Sequence, residues 1–403
     1  MQLRVRGIRP VAHQDLILQL SIDFFGIAKA LAFFSRAAAI LNHINHIMAY
    51  VKLYRDRLRE NFEYLDAHFK RHKKEWAVVT KLLCGNEDYL KEVLDLGIGE
   101  VCDSRISNLK KIKEMRPEVQ TVFIKPPGKR NIRRVVKYAD VSFNSESEII
   151  RLLNEEAGRQ GKVHKVVIMI ELGDLREGIM GEHLIDFYAS IFELPHIEVV
   201  AIGSNLNCLH GVMPSQDKMI QLSLYKQLIE AKFNKKIPYV TGGTSVVLPL
   251  LDHGQIPASV NHFRIGETLY FGNDLFAEAP IEGMHQDVFE LYSEIIEVTE
   301  KPKVPIGTIA ANPSGDVFEV DEKDFGKTSY RAIIDVGLLD ISPDYLQCKN
   351  EDVEIVNASS DMLVVDLGNN EANYQIGDLL TFRLKYMGAL SLLNSDYIEK
   401  VVV

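Results

Sequence analysis

Eight short apolar runs recur between Trp76 and Gly266, and each ends in a polar or glycine-rich group. They are Trp76–Lys81, Glu100–Ser104, Thr121–Lys125, Val141–Asn144, Val166–Glu171, Val199–Gly203, Tyr239–Gly242 and His262–Gly266. Segments with helical spacing separate them, among them Glu87–Leu96, Ser104–Met115, Ser145–Arg159 and Ser215–Phe233. Continuous β-branched runs that alternate with amphipathic helices predict parallel strands covered on both faces. Eight such units predict an α/β fold of the (β/α)8 barrel type. An open doubly wound sheet is the competitor, but no GxGxxG follows the first run.

Beyond about Met284 the pattern changes. Phe289–Thr299, Arg331–Val336, Asp352–Val356, Met362–Leu367, Asp378–Leu384 and Tyr397–Val402 alternate apolar and polar residues. Turn sequences separate them, including Pro313-Ser314-Gly315, Gly368-Asn369-Asn370 and Gly377-Asp378. This predicts an antiparallel β domain over residues 285–403. The barrel is expected over residues 48–284, with a first strand near 50–54 that could join the β domain. Residues 1–47 form an extension. It is basic at Arg4, Arg6 and Arg9 and apolar from Leu16 to Leu41, but Asp23, Lys29 and Arg36 interrupt the apolar stretch. A spanning helix needs about 18 apolar residues without such breaks, so no membrane segment is expected. The extension reads as dispensable, as a packing helix, or as a targeting segment.

The formal net charge of -10 argues against sequence-independent nucleic-acid binding, which needs a dense cationic face. Cys84, Cys102, Cys208 and Cys348 form no CxxC pair, which disfavours a zinc ribbon or a disulfide scaffold. A reducing, cytoplasmic setting fits, and no metal site is expected.

Chemistry in such barrels lies at the carboxyl ends of the strands. Those positions here are Lys81, Asp103, Lys125, Asn144, Glu171, Asn205, the Gly242-Gly243-Thr244-Ser245 turn and Arg264. Taken singly, each could be a water-facing cap; as a set they exceed what solubility requires. A lysine held in an apolar pocket has its ammonium form disfavoured, so Lys81 is a candidate Schiff-base nucleophile. It could instead reach out of the barrel mouth. The Gly-Gly-Thr-Ser turn offers backbone N–H groups and hydroxyls to an anion. A lysine after strand one, an anion cradle after strand seven and an arginine on strand eight suit a phosphorylated aldehyde cofactor.

This arrangement resembles the alanine-racemase-like, fold-type III enzymes that use pyridoxal 5'-phosphate, and within them the amino acid racemase branch that includes ornithine racemase. The resemblance rests on Val79-Thr80-Lys81 with Cys84-Gly85-Asn86, on Asp103-Ser104-Arg105, and on Gly203 to Cys208. It extends to Arg264-Ile265-Gly266 with Leu269-Tyr270, and to Gly377-Asp378 with Tyr386 to Leu390. It implies that Lys81 carries the cofactor as a Schiff base and moves the Cα proton. It further implies that Arg264 donates to the pyridine nitrogen and that Gly243, Thr244, Ser245 and Gly266 hold the phosphate. Arg176 would stand near the phenolic oxygen, Asn205 or Asn207 would pack on the ring, and Tyr386 would add a contact. An amino acid substrate, ornithine or another basic one, and a homodimer are implied as well. Asp174, Glu177, Asp316 and Asp340 are candidate partners for a distal ammonium.

One departure concerns the second base. Alanine racemases place a tyrosine on the partner's β domain where Thr308 stands here, and a threonine hydroxyl is too weak an acid to replace it. Tyr386, Cys208 and His210 are the alternatives. A fold-type III decarboxylase and a non-catalytic pyridoxal phosphate carrier are the competing functions. The chain lacks the Glu-Pro-Gly-Arg segment of the former and has a β domain that single-domain carriers lack.

Overall fold

The computed structural model describes residues 49–311, 315 and 317–403. The extension, Pro313-Ser314 and Asp316 therefore lie outside the described residues. The chain enters through β1 (Ala49–Leu53) and α1 (Arg55–Arg71). The barrel strands follow: β2 (Glu75–Val79), β3 (Glu100–Asp103), β4 (Gln120–Phe123), β5 (Val141–Asn144), β6 (His164–Met169), β7 (Ile197–Gly203), β8 (Tyr239–Thr241) and β9 (His262–Ile265). Each pairs in parallel with the next, and β2 pairs with β9 to close the ring. Closure excludes the open-sheet alternative. The crossover helices include α2 (Glu87–Leu94), α3 (Ile106–Met115), α4 (Ile132–Tyr138), α5 (Ser147–Arg159), α6 (Leu184–Ile191) and α7 (Gln216–Phe233). Two short helices flank β9, α8 (Leu248–Asp252) and α9 (Glu267–Phe271).

The period-2 geometry of a strand divides the apolar residues into two clusters. Ala77, Val79, Cys102, Val122, Phe143 and Met169 fill the barrel interior. Val78, Val101, Phe123, Ile168, Phe263 and Ile265 pack outward with the helices. α5 shows why the helices sit where they do. Its buried Ile149, Ile150, Leu153 and Ala157 recur at helical spacing, and Glu148, Arg151, Glu155 and Arg159 are exposed.

After a small hairpin, β10 (Asn273–Asp274) and β11 (Ala279–Pro280), the chain builds the β domain. Its strands are β12 (Phe289–Pro302), β13 (Thr328–Ile334), β14 (Leu346–Cys348), β15 (Glu354–Ala358), β16 (Leu363–Asp366), β17 (Leu379–Leu384) and β18 (Glu399–Val402). The sheet order is β14-β17-β12-β13-β16-β15. β12 does the joining: its first half pairs with β1 and β17, its second half with β13, with a register shift between Ile295 and Glu297. Such a bulge bends a strand and lets one long element serve two sheet segments. β1 and β18 pair in parallel, so the domain is antiparallel except at this seam of the two ends of the described chain. A helix, α10 (Tyr386–Asn394), interrupts the strands and packs on the turn that carries Lys81.

The interior also holds polar residues. His164 at the start of β6 is buried and its Nε2 lies 2.9 Å from Ser142 Oγ. Burial, with Lys162 adding and Asp140 opposing, lowers its pKa from the ordinary 6.5 to about 4. As pH falls below about 6.5 the unfolded chain takes up a proton that the folded chain refuses until about 4. Stability should therefore be complete above that window and fall by up to about 3 kcal/mol across it. Urea unfolding of the parent and His164→Gln at near-neutral and mildly acidic pH checks this: the parent should lose more stability than the variant.

Candidate active site

The carboxyl ends of the barrel strands open into a cavity of about 1210 Å³. Lys81, Arg176, Asn205, Thr244, Ser245, Arg264, Gly266 and Tyr386 all line it. Gly243 does not line it, although its carbonyl accepts from the Arg264 backbone N–H at 3.0 Å. Gly243 has φ +138°, and a Cβ there would sit 2.9 Å from Val247 Cγ1. The turn into Thr244 thus requires glycine.

Lys81 follows β2 in a single 3-10 turn, Lys81–Leu83. Cys84 then takes a left-handed conformation. At Gly85 a Cβ would meet Asn108 Oδ1 at 2.5 Å. Asn86 closes the motif by capping α2, its side chain accepting from Tyr89 N at 3.0 Å. Lys81 is exposed, which corrects the expectation of an apolar pocket. The lysine stands two residues past the strand, at the wet mouth, with Nζ 5.9 Å from the Tyr386 ring centroid.

Arg264 is the opposite case, 2% exposed and projecting inward from β9. Its Nη1 donates to Thr241 Oγ1, and its Nη2 donates to Ser204 O at 3.0 Å and Asn205 Oδ1 at 2.5 Å. These partners are all neutral, so the guanidinium keeps its full charge beside the cavity. Burial lowers its pKa, though an arginine stays protonated. The chain of contacts runs on in both directions. Asn205 donates to Glu177, which also binds Arg176. On the other side Thr241 Oγ1 meets His262 Nδ1 at 3.0 Å, and His262 Nε2 lies 3.3 Å from Glu100. Burial pushes the Glu100 carboxyl up, but His262 and Gln120 outweigh it and hold the pKa below the ordinary value.

Asn205, half-buried against Arg264, stands where Asn207 does not: Asn207 is exposed on a left-handed turn, although it too lines the cavity. Asp103, Asn144 and Glu171 do not reach the cavity. Asp103 accepts from Thr80 Oγ1 and Arg105 N at 2.9 and 2.7 Å. Asn144 turns onto Ser142, and Glu171 caps Gly173 and Leu175. Asp174 is no partner for a ligand, because its two oxygens accept four backbone N–H groups, of Cys208, Leu209, His210 and Val212. Burial raises its pKa, but those donors prevail and hold it below the ordinary value. Asp340 accepts from Ser395 Oγ at 3.0 Å in the β domain, outside the cavity lining. Among the candidate second bases, Tyr386 and Cys208 line the cavity and His210 does not; nor does Thr308, which stands at the usual tyrosine position. Burial, with Glu267 adding, raises the Tyr386 pKa.

Glu267 is the residue the sequence reading missed. It lines the cavity at the start of α9, and among the described residues its carboxylate accepts no hydrogen bond. Burial raises its pKa, and nearby Lys81 opposes that rise. The signal was present, since Glu267 directly follows Arg264-Ile265-Gly266 in the sequence.

A closed parallel barrel with a lysine, a sealed arginine and a glycine-rich turn at its mouth, joined to a β domain, is the framework of a barrel-type enzyme. Residues 53–274 match the family model described as "Alanine racemase, N-terminal domain". The chain is 36% identical over 346 residues to the ornithine racemase of Acetoanaerobium sticklandii, covering 86% of this chain and 97% of the relative. It is 30% identical over 323 residues to the lysine racemase of Thermotoga maritima, covering 80% of this chain and 89% of the relative. In structure it resembles an alanine racemase from Bartonella henselae with covalently bound pyridoxal phosphate. That match has TM-score 0.69 and 15% identity, over 88% of this chain and 99% of that one. The chain belongs to the alanine racemase family.

Asp174 provides a test of how the loop is held. Asp174→Ala strips four backbone donors of their acceptor, and the loop that carries Asn207 and Cys208 should loosen. A loss of about 1–3 kcal/mol in unfolding free energy is expected, together with faster limited proteolysis between residues 207 and 212.

Proposed function

We propose that the chain is a pyridoxal 5'-phosphate-dependent racemase of basic amino acids, of the ornithine or lysine type. The observation that carries this reading is the convergence of Lys81, Arg264 and the Thr244–Ser245 turn on one cavity. The cavity's chemistry suits the cofactor. Five cationic residues line it, Lys81, Arg105, Lys125, Arg176 and Arg264, against two carboxylates, Glu177 and Glu267. Ser245 Oγ accepts from Thr268 N at 3.2 Å, which leaves its own proton free for a phosphate oxygen. Buried Ser204 Oγ beside Arg264 has no partner among the described residues.

Thr244, Ser245 and the backbone at Gly266 would hold the phosphate, with Gly243 shaping the turn behind them. Arg264 would donate to the ring nitrogen, and Arg176 and Asn205 would orient the ring. When bound, pyridoxal phosphate supplies the electron sink that makes the Cα proton of an amino acid removable. Lys81 would anchor the cofactor through Nζ and, once the substrate's amine has displaced it there, would hold and return that proton at the freed amine. Tyr386 or Cys208 would serve the other face. Asn205 and Thr241 hold the Arg264 fork in place, so it does not need to reorganise as charge develops.

Glu267 is our candidate for the distal ammonium of the substrate. Of the two cavity carboxylates, Glu177 is engaged by Arg176 and Asn205, and Glu267 is not. A homodimer is part of the proposal. The exposed 303–311 loop carries Thr308 and Ile306, the latter 93% exposed, and would meet a second copy. A cytoplasmic setting accords with four free cysteines, and among the described residues no helix is long and apolar enough to cross a membrane.

Lys81→Ala should lose the visible absorption of lysine-linked cofactor and at least about 10³-fold in kcat, measured by chiral chromatography. An unchanged spectrum would remove Lys81 from the site. Glu267→Gln should raise KM for ornithine or lysine about tenfold, about 1.4 kcal/mol, and leave KM for a neutral amino acid nearly unchanged. Equal effects on both substrates would reject the specificity role.

A further inference from the structure

On the far side of the barrel, away from the cavity, the last two turns of α1 meet the end of α8. His68 and His72 lie four residues apart, so both rings project from one face of the helix. Their ring centroids are 4.8 Å apart. His68 Nε2 lies 3.7 Å from Asp252 Oδ1, and His72 Nε2 lies 3.9 Å from the same oxygen. These separations are too long for hydrogen bonds. Both Nε2 atoms are buried and have no hydrogen-bond partner among the described residues, and the His68 side chain is 6% exposed. Two buried imidazole nitrogens aimed at one carboxylate and bonded to nothing leave a polar gap that costs free energy unless something fills it.

We propose that His68, His72 and Asp252 bind a divalent transition metal ion of the zinc class, which staples α1 to α8 beneath the barrel. The ligand set is two imidazoles and one carboxylate, which suits zinc and leaves a fourth position for water. One ligand atom from each residue can be chosen so that all three lie within 4.8 Å of one another. Ligands on tetrahedral zinc stand about 3.3 Å apart, given bonds of about 2.0–2.1 Å. The remaining contraction is small, and it falls on movable side chains: Asp252 is 53% exposed and His72 24% exposed.

Arg71 is the competitor. Its Nη2 lies 3.0 Å from His68 Nδ1 and 3.8 Å from Asp252 Oδ1. A guanidinium can only donate, so Nδ1 accepts and the ring proton sits on Nε2. Metal binding at Nε2 transfers that proton to Nδ1, with no net change in protonation, and releases Arg71 to solvent. Arg71 is already 68% exposed, so this rearrangement is cheap. The ion and Arg71 thus exclude one another, which is a signature a plain ion pair would lack. None of the four residues lines the cavity, so the site acts on stability and not on turnover.

The test uses the full-length holoenzyme, stripped with a chelator and titrated with Zn²⁺ against a chromophoric competitor, with Co²⁺ as the spectroscopic probe. We expect one equivalent per chain, a raised Tm on zinc addition, and tetrahedral Co²⁺ bands without thiolate charge transfer. His72→Ala and Asp252→Asn should each weaken binding at least tenfold and abolish the Tm rise, whereas Arg71→Ala should tighten binding several-fold. Both altered ligands are partly solvent-exposed, so the variants should fold. No stoichiometric binding, parental affinity in the two ligand variants, or a thiolate band in the cobalt adduct would each overturn the proposal.

Discussion

One buried guanidinium organises this protein. Arg264 sits inside the barrel, where an unpaired charge would be prohibitively costly, and the surrounding strands are built to satisfy it. β8 contributes the Thr241 hydroxyl, and the residues just past β7 contribute the Ser204 carbonyl and the Asn205 side chain. Among the described residues no carboxylate touches it directly. Its charge is therefore stabilised by dipoles and stays available to whatever enters the cavity. Glu100 through His262 and Thr241, and Arg176 through Glu177 and Asn205, tie both ends of this network to opposite walls of the barrel. Hydrogen bonds to both Nη atoms restrain the guanidinium, and such restraint is what a site that must hold a planar ring requires.

The β domain completes the mouth. β1 and β18 bring the two ends of the described chain together, and Tyr50 of β1 stacks on Tyr292 of β12 with ring centroids 5.3 Å apart. Beside this stack the buried Glu290 carboxylate accepts from Tyr54 at 2.8 Å and Tyr292 at 2.9 Å and pairs with Lys349. α10 follows directly on β17, which pairs with β12 and β14, so Tyr386 reaches the cavity from the β domain while Lys81 reaches it from the barrel. The membership in the alanine racemase family and the convergence of these groups are two independent lines that point to the same chemistry.

Much was legible in the chain itself. The period of the apolar runs specified eight parallel strands, because strands buried on both faces must be apolar throughout. The polar residue that ended each run marked the mouth, and Lys81, the Gly-Gly-Thr-Ser turn and Arg264 stood out for their chemistry. The motifs from Val79 to Asn86 and from Arg264 to Tyr270 carried the family. The apolar-pocket reading of the lysine was wrong in its environment: Thr80, directly past the strand end, is buried, but Lys81 one residue further on is exposed at the mouth.

What the sequence determined by itself was local: strand and helix periods, turn glycines and the types of chemistry present. Tertiary structure decided which polar groups remain free. Asp174 and Glu267 are both carboxylates beside candidate motifs, yet four backbone N–H groups consume the first, and the second faces the cavity with no hydrogen-bond partner among the described residues. Asp252 stands 180 residues from His72, and only the packing of α8 under α1 brings them together. Hydrogen-bond satisfaction is a property of the neighbours a fold supplies, and those neighbours are remote in sequence.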